Sequence, residues 1–280
     1  SCIHYQLHPL PVASITSCLQ LAHQKLIISR FYGIITTSKS LVKRMKLSNA
    51  TVIRQEILDV QDRQKQSIRS SGTWWDGKER LFFAYQARIF LTGETTHLQK
   101  RKINGQESSR LSAAKAVIAS LAGNGKHITK KTMDDALSSG LSEAEYVELV
   151  GVTTRSICLD LFNKGLGLPY TNYEKPESSP PSQKLPRSLK NEGAWVQTVP
   201  AGQAGDIDGK ELYGESQAPF IFRALSLVPE EAKEVMAITT NQYVPSEKLM
   251  HLDFSHTKEF ERSQIELVAG RTSLLNECFY

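Results

Sequence analysis

Acidic residues are missing from the start of the chain: none occurs before Glu56, while Ser, Thr, Lys, Arg and His are frequent there. An acid-poor, Ser-rich, basic N-terminus has the composition of an organellar transit peptide. An initiator Met is missing too, and residues 1–44 show no steady amphipathic Arg-rich helix. They therefore read rather as upstream read-through or added sequence ahead of a natural start at Met45, and they stand outside the fold argument. Cysteine is scarce and scattered. Cys2, Cys18, Cys158 and Cys278 do not make the dense disulfide framework of a small secreted domain, and no Cys-x-x-Cys is complete. A reducing, cytoplasmic setting fits, or an organellar one if residues 1–44 are a transit peptide. No run of 18 or more residues is apolar enough to span a bilayer, which argues against a membrane role. No stretch alternates cleanly with period two, and no glycine loop has phosphate-cradling spacing, which excludes βαβ nucleotide folds.

What is present is the composition of a globular protein. At 280 residues, 40% hydrophobic and 22% charged, the chain makes one large domain or two of ordinary size. A net charge of +5 is too mild to imply a nucleic-acid partner. Its densest basic cluster, Lys100-Arg101-Lys102 with Lys130-Lys131 behind it, lacks aromatic interleaving and reads as a solvated face. His4 and His8 have a helical ligand spacing but no third ligand, so no metal site is expected. Asn49-Ala50-Thr51 is a formal glycosylation sequon that matters only in a secreted protein.

The remaining pattern is helical throughout, so the chain is expected to be all-α. Val52, Ile53, Ile57, Leu58 and Val60 recur at helical spacing among charges, up to a break at Ser70-Ser71-Gly72. Asp76 can cap the next helix with Glu79 reaching back to it, and the apolar run Leu81–Leu91 makes that helix central, with Gly93 as its stop. Further helices are expected over Ser109–Leu121, stopped by Gly123, and over Thr129–Ser139, stopped by Gly140. A second capping box, Ser142 with Glu145, opens a long helix reaching Gly165. Cys158, inside it among apolar neighbours, is expected to be a buried core residue. Pro176–Pro186 holds four prolines and three serines without periodicity and reads as a linker. Beyond it, helical pattern returns at Phe220–Leu227 and from Pro229 through Met236, and His251 and His256 fall in a polar loop expected to be exposed.

The chemistry-bearing stretch is the last one, Arg262–Tyr280. Ser263-Gln264-Ile265-Glu266 has the form of a third capping box, which by itself would explain Glu266. Cys278 follows twelve residues later, about 18 Å along an unbroken helix and too far for proton transfer. The two cooperate only if the chain turns between them, at Asn276-Glu277, which would place Cys278 at a helix N-terminus where a thiolate is stabilised.

Glu266, eleven residues, then Cys278 resembles the opening of the Glu-x11-Cys-x-x-Cys-x3-His signature of the alkylhydroperoxidase AhpD-like, carboxymuconolactone decarboxylase-like family. The words Gly72-Thr73-Trp74-Trp75, Leu141–Val152, Arg223–Pro229, Gln264–Ala269 and Leu275–Tyr280 are similar to its double-domain, peroxidase-related members. The similarity covers Met45 to Tyr280. It implies an AhpD-like all-helical fold of two tandem repeats, with residues 1–44 as a non-family extension, 45–173 as a degenerate repeat, 174–190 as linker and 191–280 as a second repeat. It further implies a hydroperoxide substrate, a dithiol reductant, no cofactor, no metal, and association into a homo-oligomer. Glu266 matches the relay acid and Cys278 the first cysteine of the pair. The second cysteine, usually the attacking one, would fall immediately after Tyr280 and the relay His four residues later, so the 280-residue chain is expected to be essentially inactive. Setting Glu79 against Glu266 puts Leu91 and Glu94 at the cysteine positions and Leu98 at the His position, with His97 one place off. Two other readings stand beside the peroxidase: a non-catalytic helical scaffold of the same fold, and a decarboxylase-like lyase. For the lyase the sequence offers no His or Arg constellation.

Overall fold

In a computed structural model of the chain, the described residues are 53–93, 109–125, 128–214, 218–257 and 260–275. They fold as nine α-helices with two short 3₁₀ turns and no strand; a single antiparallel bridge joins Lys190 and Thr198. The helices are α1 (Gln55–Arg69), α2 (Gly77–Thr92), α3 (Ser109–Asn124), α4 (Lys130–Ser138), α5 (Glu143–Gly165), α6 (Asp206–Tyr213), α7 (Phe220–Arg223), α8 (Pro229–Gln242) and α9 (Arg262–Leu275). The all-α architecture therefore holds among the described residues. None of their helices is long and apolar enough to cross a membrane.

Two of the three expected capping boxes form. Asp76 accepts from the Lys78 and Glu79 N–H groups while Glu79 accepts from Asp76 N, and Ser142 and Glu145 make the same reciprocal pair. Gly93 ends α2 at φ +70, a left-handed conformation that costs Gly least. α3 runs through Gly123 to Asn124 rather than stopping at the glycine. Helix α5 is the spine: every residue from Ala144 to Leu161 except Glu145 is buried. Around it pack Leu81, Phe83, Ala84 and Ala87 of α2 and Ala114, Val117 and Ile118 of α3. Trp75 meets the Phe83 ring edge-on at 4.8 Å. Cys158 is buried, as expected, beside Val60 and Ile238.

Residues on both sides of the Pro/Ser stretch share one core: Val196, Leu225, Leu227, Val228 and Ala232 belong to the same apolar cluster as Ile68, Phe83 and Leu149. The stretch itself lies along the α1–α2 junction. Glu177 N donates to Arg69 O (2.9 Å), Ser182 N to Gly72 O (3.2 Å) and Gln183 N to Thr73 O (2.8 Å).

Helix α8 is fixed to the first half by charge as well as by apolar packing. Glu231 in its first turn accepts from Arg155 Nε (3.0 Å) and Nη2 (2.8 Å) and from Arg80 Nη2 (3.0 Å). Arg80 also pairs with Glu148, whose other oxygen takes the Trp74 N–H at 2.6 Å. Arg155 Nη1 reaches Gln64 Oε1 (2.6 Å), and Gln64 Nε2 donates to Glu234 of α8 (2.6 Å). All four charged residues of the quartet are between 0 and 2% exposed. Burial pushes the Glu148 carboxyl above the usual carboxylate range against the pull of Arg80. Two glycines make the room: a Cβ on Gly72 would lie 2.0 Å from Glu148 Oε1, and one on Gly151 would lie 2.5 Å from Glu231 Oε2.

Candidate functional site

The terminal helix starts earlier than its sequence suggests. Arg262 is its first residue, and the N–H of Glu261 just before it is taken by Gln264 Oε1 at 2.8 Å. The reciprocal partner at the third helical position is thus Gln264, and Ser263 lies inside the helix, so the expected Ser263–Glu266 capping box is not made. The reason is tertiary: with this start, the buried Arg262 guanidinium donates to the Lys248, Leu249 and His251 carbonyls at 3.1–3.3 Å, at and just after the short 3₁₀ turn Ser246–Lys248.

Glu266 is thereby relieved of capping. Its carboxylate accepts from the Tyr243 hydroxyl, 2.8 Å from both oxygens, and from Arg262 Nε at 2.6 Å. Its side chain stays 41% exposed. Tyr243, at the C-terminal cap of α8, has its phenol pKa raised, first by burial and then by the Glu266 carboxylate, so it remains a donor at any ordinary pH. The result is a carboxylate held on two sides by donors and open to solvent on another, the geometry of a fixed proton acceptor.

Cys278, the other expected site residue, lies outside the described residues, as do residues 1–44 with Cys2, His4, His8 and Cys18, and the Lys100-Arg101-Lys102 cluster. Helix α9 extends from Glu266 through Leu275, about 13.5 Å of rise. Three further residues reach about 10 Å at most. Direct contact between Glu266 and Cys278 thus requires the chain to turn back after Leu275.

Glu79, set against Glu266 by the repeat alignment, is placed quite differently. Its Oε2 takes the Asp76 N–H at 2.9 Å and its Oε1 takes Arg110 Nη1 at 3.0 Å. Arg110 lies 3.5 Å over the Trp75 ring and donates to Trp74 O at 2.7 Å. Its Nε stands 2.6 Å from Glu145 Oε1, at an angle too poor for a hydrogen bond, so that contact is ionic only. Asp76, Glu79, Arg110, Ser142 and Glu145, with Trp74, Pro181 and Gln183, line an open cleft of about 650 Å³. Leu91 is a helical residue of α2, and Glu94, His97 and Leu98 lie outside the described residues.

No protein-family model, curated protein or solved structure gives a significant match to the chain. The residues themselves carry the functional argument.

Sequence patterns missed three groups. Tyr243 and Arg262 had no signal, because their link to Glu266 depends on how α8, the following loop and α9 meet. The buried quartet joins residues 68 to 151 positions apart; its one local trace is Gly72 and Gly151, small residues where charged side chains need space. His256 was expected in an exposed loop but is half-buried, with both ring nitrogens engaged. Among the described residues no group of three or more His, Cys, Asp or Glu is arranged to hold a metal ion.

Proposed function

We propose that the chain carries the acid half of a thiol-dependent hydroperoxide reductase of the alkylhydroperoxidase AhpD-like type, with Glu266 as relay acid and Cys278 as the first cysteine of a redox pair. The observation that carries this reading is the Glu266 carboxylate: off the helix cap, oriented by Tyr243 and Arg262, and open to solvent. In the proposed cycle a cysteine thiolate attacks the peroxide oxygen, the O–O bond breaks, and the alkoxide leaves as the alcohol after taking a proton. The resulting sulfenic acid condenses with the second thiol, releasing water and forming a disulfide, and a dithiol reductant restores the pair. Glu266, through an intervening proton carrier, accepts the proton of the attacking thiol. The alternative reading is a non-catalytic helical scaffold, and the observation on its side is Glu79, where the equivalent acid is occupied by backbone and Arg110 alone.

The codons after Tyr280 test the proposal first. Cys as the next residue and His four later are expected, and a stop codon directly after Tyr280 overturns it. With those residues present, steady reduction of tert-butyl hydroperoxide by dihydrolipoamide is expected. Turnover should fall to background in Cys278→Ser and by about 10²-fold in Glu266→Gln. Turnover unchanged in both variants rules the assignment out.

A further inference from the structure

One side chain bridges the N-terminal end of α1 and the C-terminal end of α8. His256 Nε2 is 2.7 Å from the Tyr243 carbonyl oxygen, and His256 Nδ1 is 3.0 Å from Arg54 Nη1. A carbonyl can only accept and a guanidinium can only donate. A single form of the ring satisfies both contacts: neutral, with its proton on Nε2. Arg54 Nη2 in turn donates to Asn241 O. Imidazole and guanidinium together therefore grip the backbone on both sides of Gln242, and the next residue, Tyr243, is the one whose hydroxyl orients Glu266.

We propose that His256 is a positioning residue for Glu266, acting through Tyr243: the neutral ring clamps the Tyr243 backbone against Arg54, and the imidazolium releases it. Protonation puts a second donor and a like charge on Nδ1, facing the Arg54 guanidinium at 3.0 Å. The charged and titratable groups around the ring are Arg54 and Glu56 at the start of α1 and Tyr243 after α8, with Glu266 and Arg262 of α9 beyond the Tyr243 hydroxyl; the Phe254 ring meets it edge-on at 5.1 Å. Burial first, then Arg54, holds the imidazole below its ordinary value of 6.5, against the Tyr243 bond and Glu56. The clamp stands on these contacts, and its consequence for turnover rests on Glu266 being the relay acid.

The 280-residue chain suffices for the test. Long-range ¹H–¹⁵N spectra of histidine-labelled protein at pH 7.5 are expected to show His256 as the Nε2–H tautomer, titrating below pH 6.5 and identified by its loss in His256→Gln. Tyr243 ring shifts are expected to follow the same midpoint in the parent. They should stay flat in His256→Gln, whose amide offers an acceptor and a donor without titrating. An Nδ1–H tautomer, an imidazolium at pH 7.5, or Tyr243 shifts that ignore the His256 titration overturns the clamp, and the parent spectra decide this even if the variant fails to fold. None of these readouts needs turnover, so absence of peroxide reduction counts against the peroxidase reading alone. Where turnover is found, an acid limb identical in parent and His256→Gln overturns the positioning role and leaves that reading standing.

Discussion

The starts of α2 and α9 both carry a glutamate in or near the first turn, and the two acids have opposite fates. Glu79 is the third residue of its helix, within reach of the backbone N–H before it, and the capping box takes one of its oxygens while Arg110 takes the other. Glu266 is the fifth residue of its helix, beyond that reach, and its oxygens go to Tyr243 and Arg262. Two residues of register separate an acid that closes its own helix end from one held by Tyr243 and Arg262 with its side chain 41% exposed. The lesson is that a capping-box pattern identifies an acid near a helix start without saying which way the acid faces.

The strongest way to break the comparison is to unseat α8, whose C-terminal cap is Tyr243. Glu231→Ala leaves Arg80 and Arg155 buried without their shared carboxylate and is expected to cost about 3–5 kcal/mol, read from the urea unfolding midpoint. A loss below about 1 kcal/mol would mean that the quartet does not hold the helix. Glu79→Ala, which removes the capping partner, is expected to cost about 1 kcal/mol in the same assay. Burial raises the Glu79 pKa above 4.5 in the folded state, so its contribution is fully present below pH 4.5 and shrinks as pH rises through the folded value. Glu79→Gln, which keeps an acceptor but cannot ionise, should therefore compare better with the parent at pH 7 than at pH 4. His256 has the opposite sign: its folded-state pKa is depressed below 6.5, so its contribution is present above pH 6.5 and is lost as pH falls toward the folded value. The parent should lose more stability than His256→Gln between pH 7.5 and 5.5 by differential scanning fluorimetry. Equal losses would place the acid sensitivity elsewhere. The smallest stability effect belongs to Glu266→Gln, about 0.5 kcal/mol and shrinking with added salt, because the carboxylate is partly solvated. A loss as large as that of Glu79→Ala would make Glu266 a structural acid and erase the contrast.

How much of this was legible in the sequence follows from how local each interaction is. The starts of α2 and α5 were readable because Asp76 with Glu79 and Ser142 with Glu145 satisfy their own helix ends within three residues. The start of α9 was not, because two overlapping patterns compete: Glu261 with Gln264, and Ser263 with Glu266. The choice falls to Arg262, whose carbonyl partners lie 11 to 14 residues upstream. Glu266 was found by its spacing to Cys278, while the donors that orient it come from another helix end and could not be. Arg80, Glu148, Arg155 and Glu231 look like ordinary surface charges of amphipathic helices until four helices meet and exclude water from them.

The backbone hydrogen bonds from the Pro/Ser stretch to Gly72 and Thr73 bear on how the molecule would behave when nicked. A protease cutting near Pro180 would meet backbone already engaged at Glu177, Ser182 and Gln183. Fragments released by such a cut would still share an apolar core and the Arg80–Glu231 pair. They should remain together through gel filtration as a complementing pair and melt in one transition, as two pieces of a single cooperative unit.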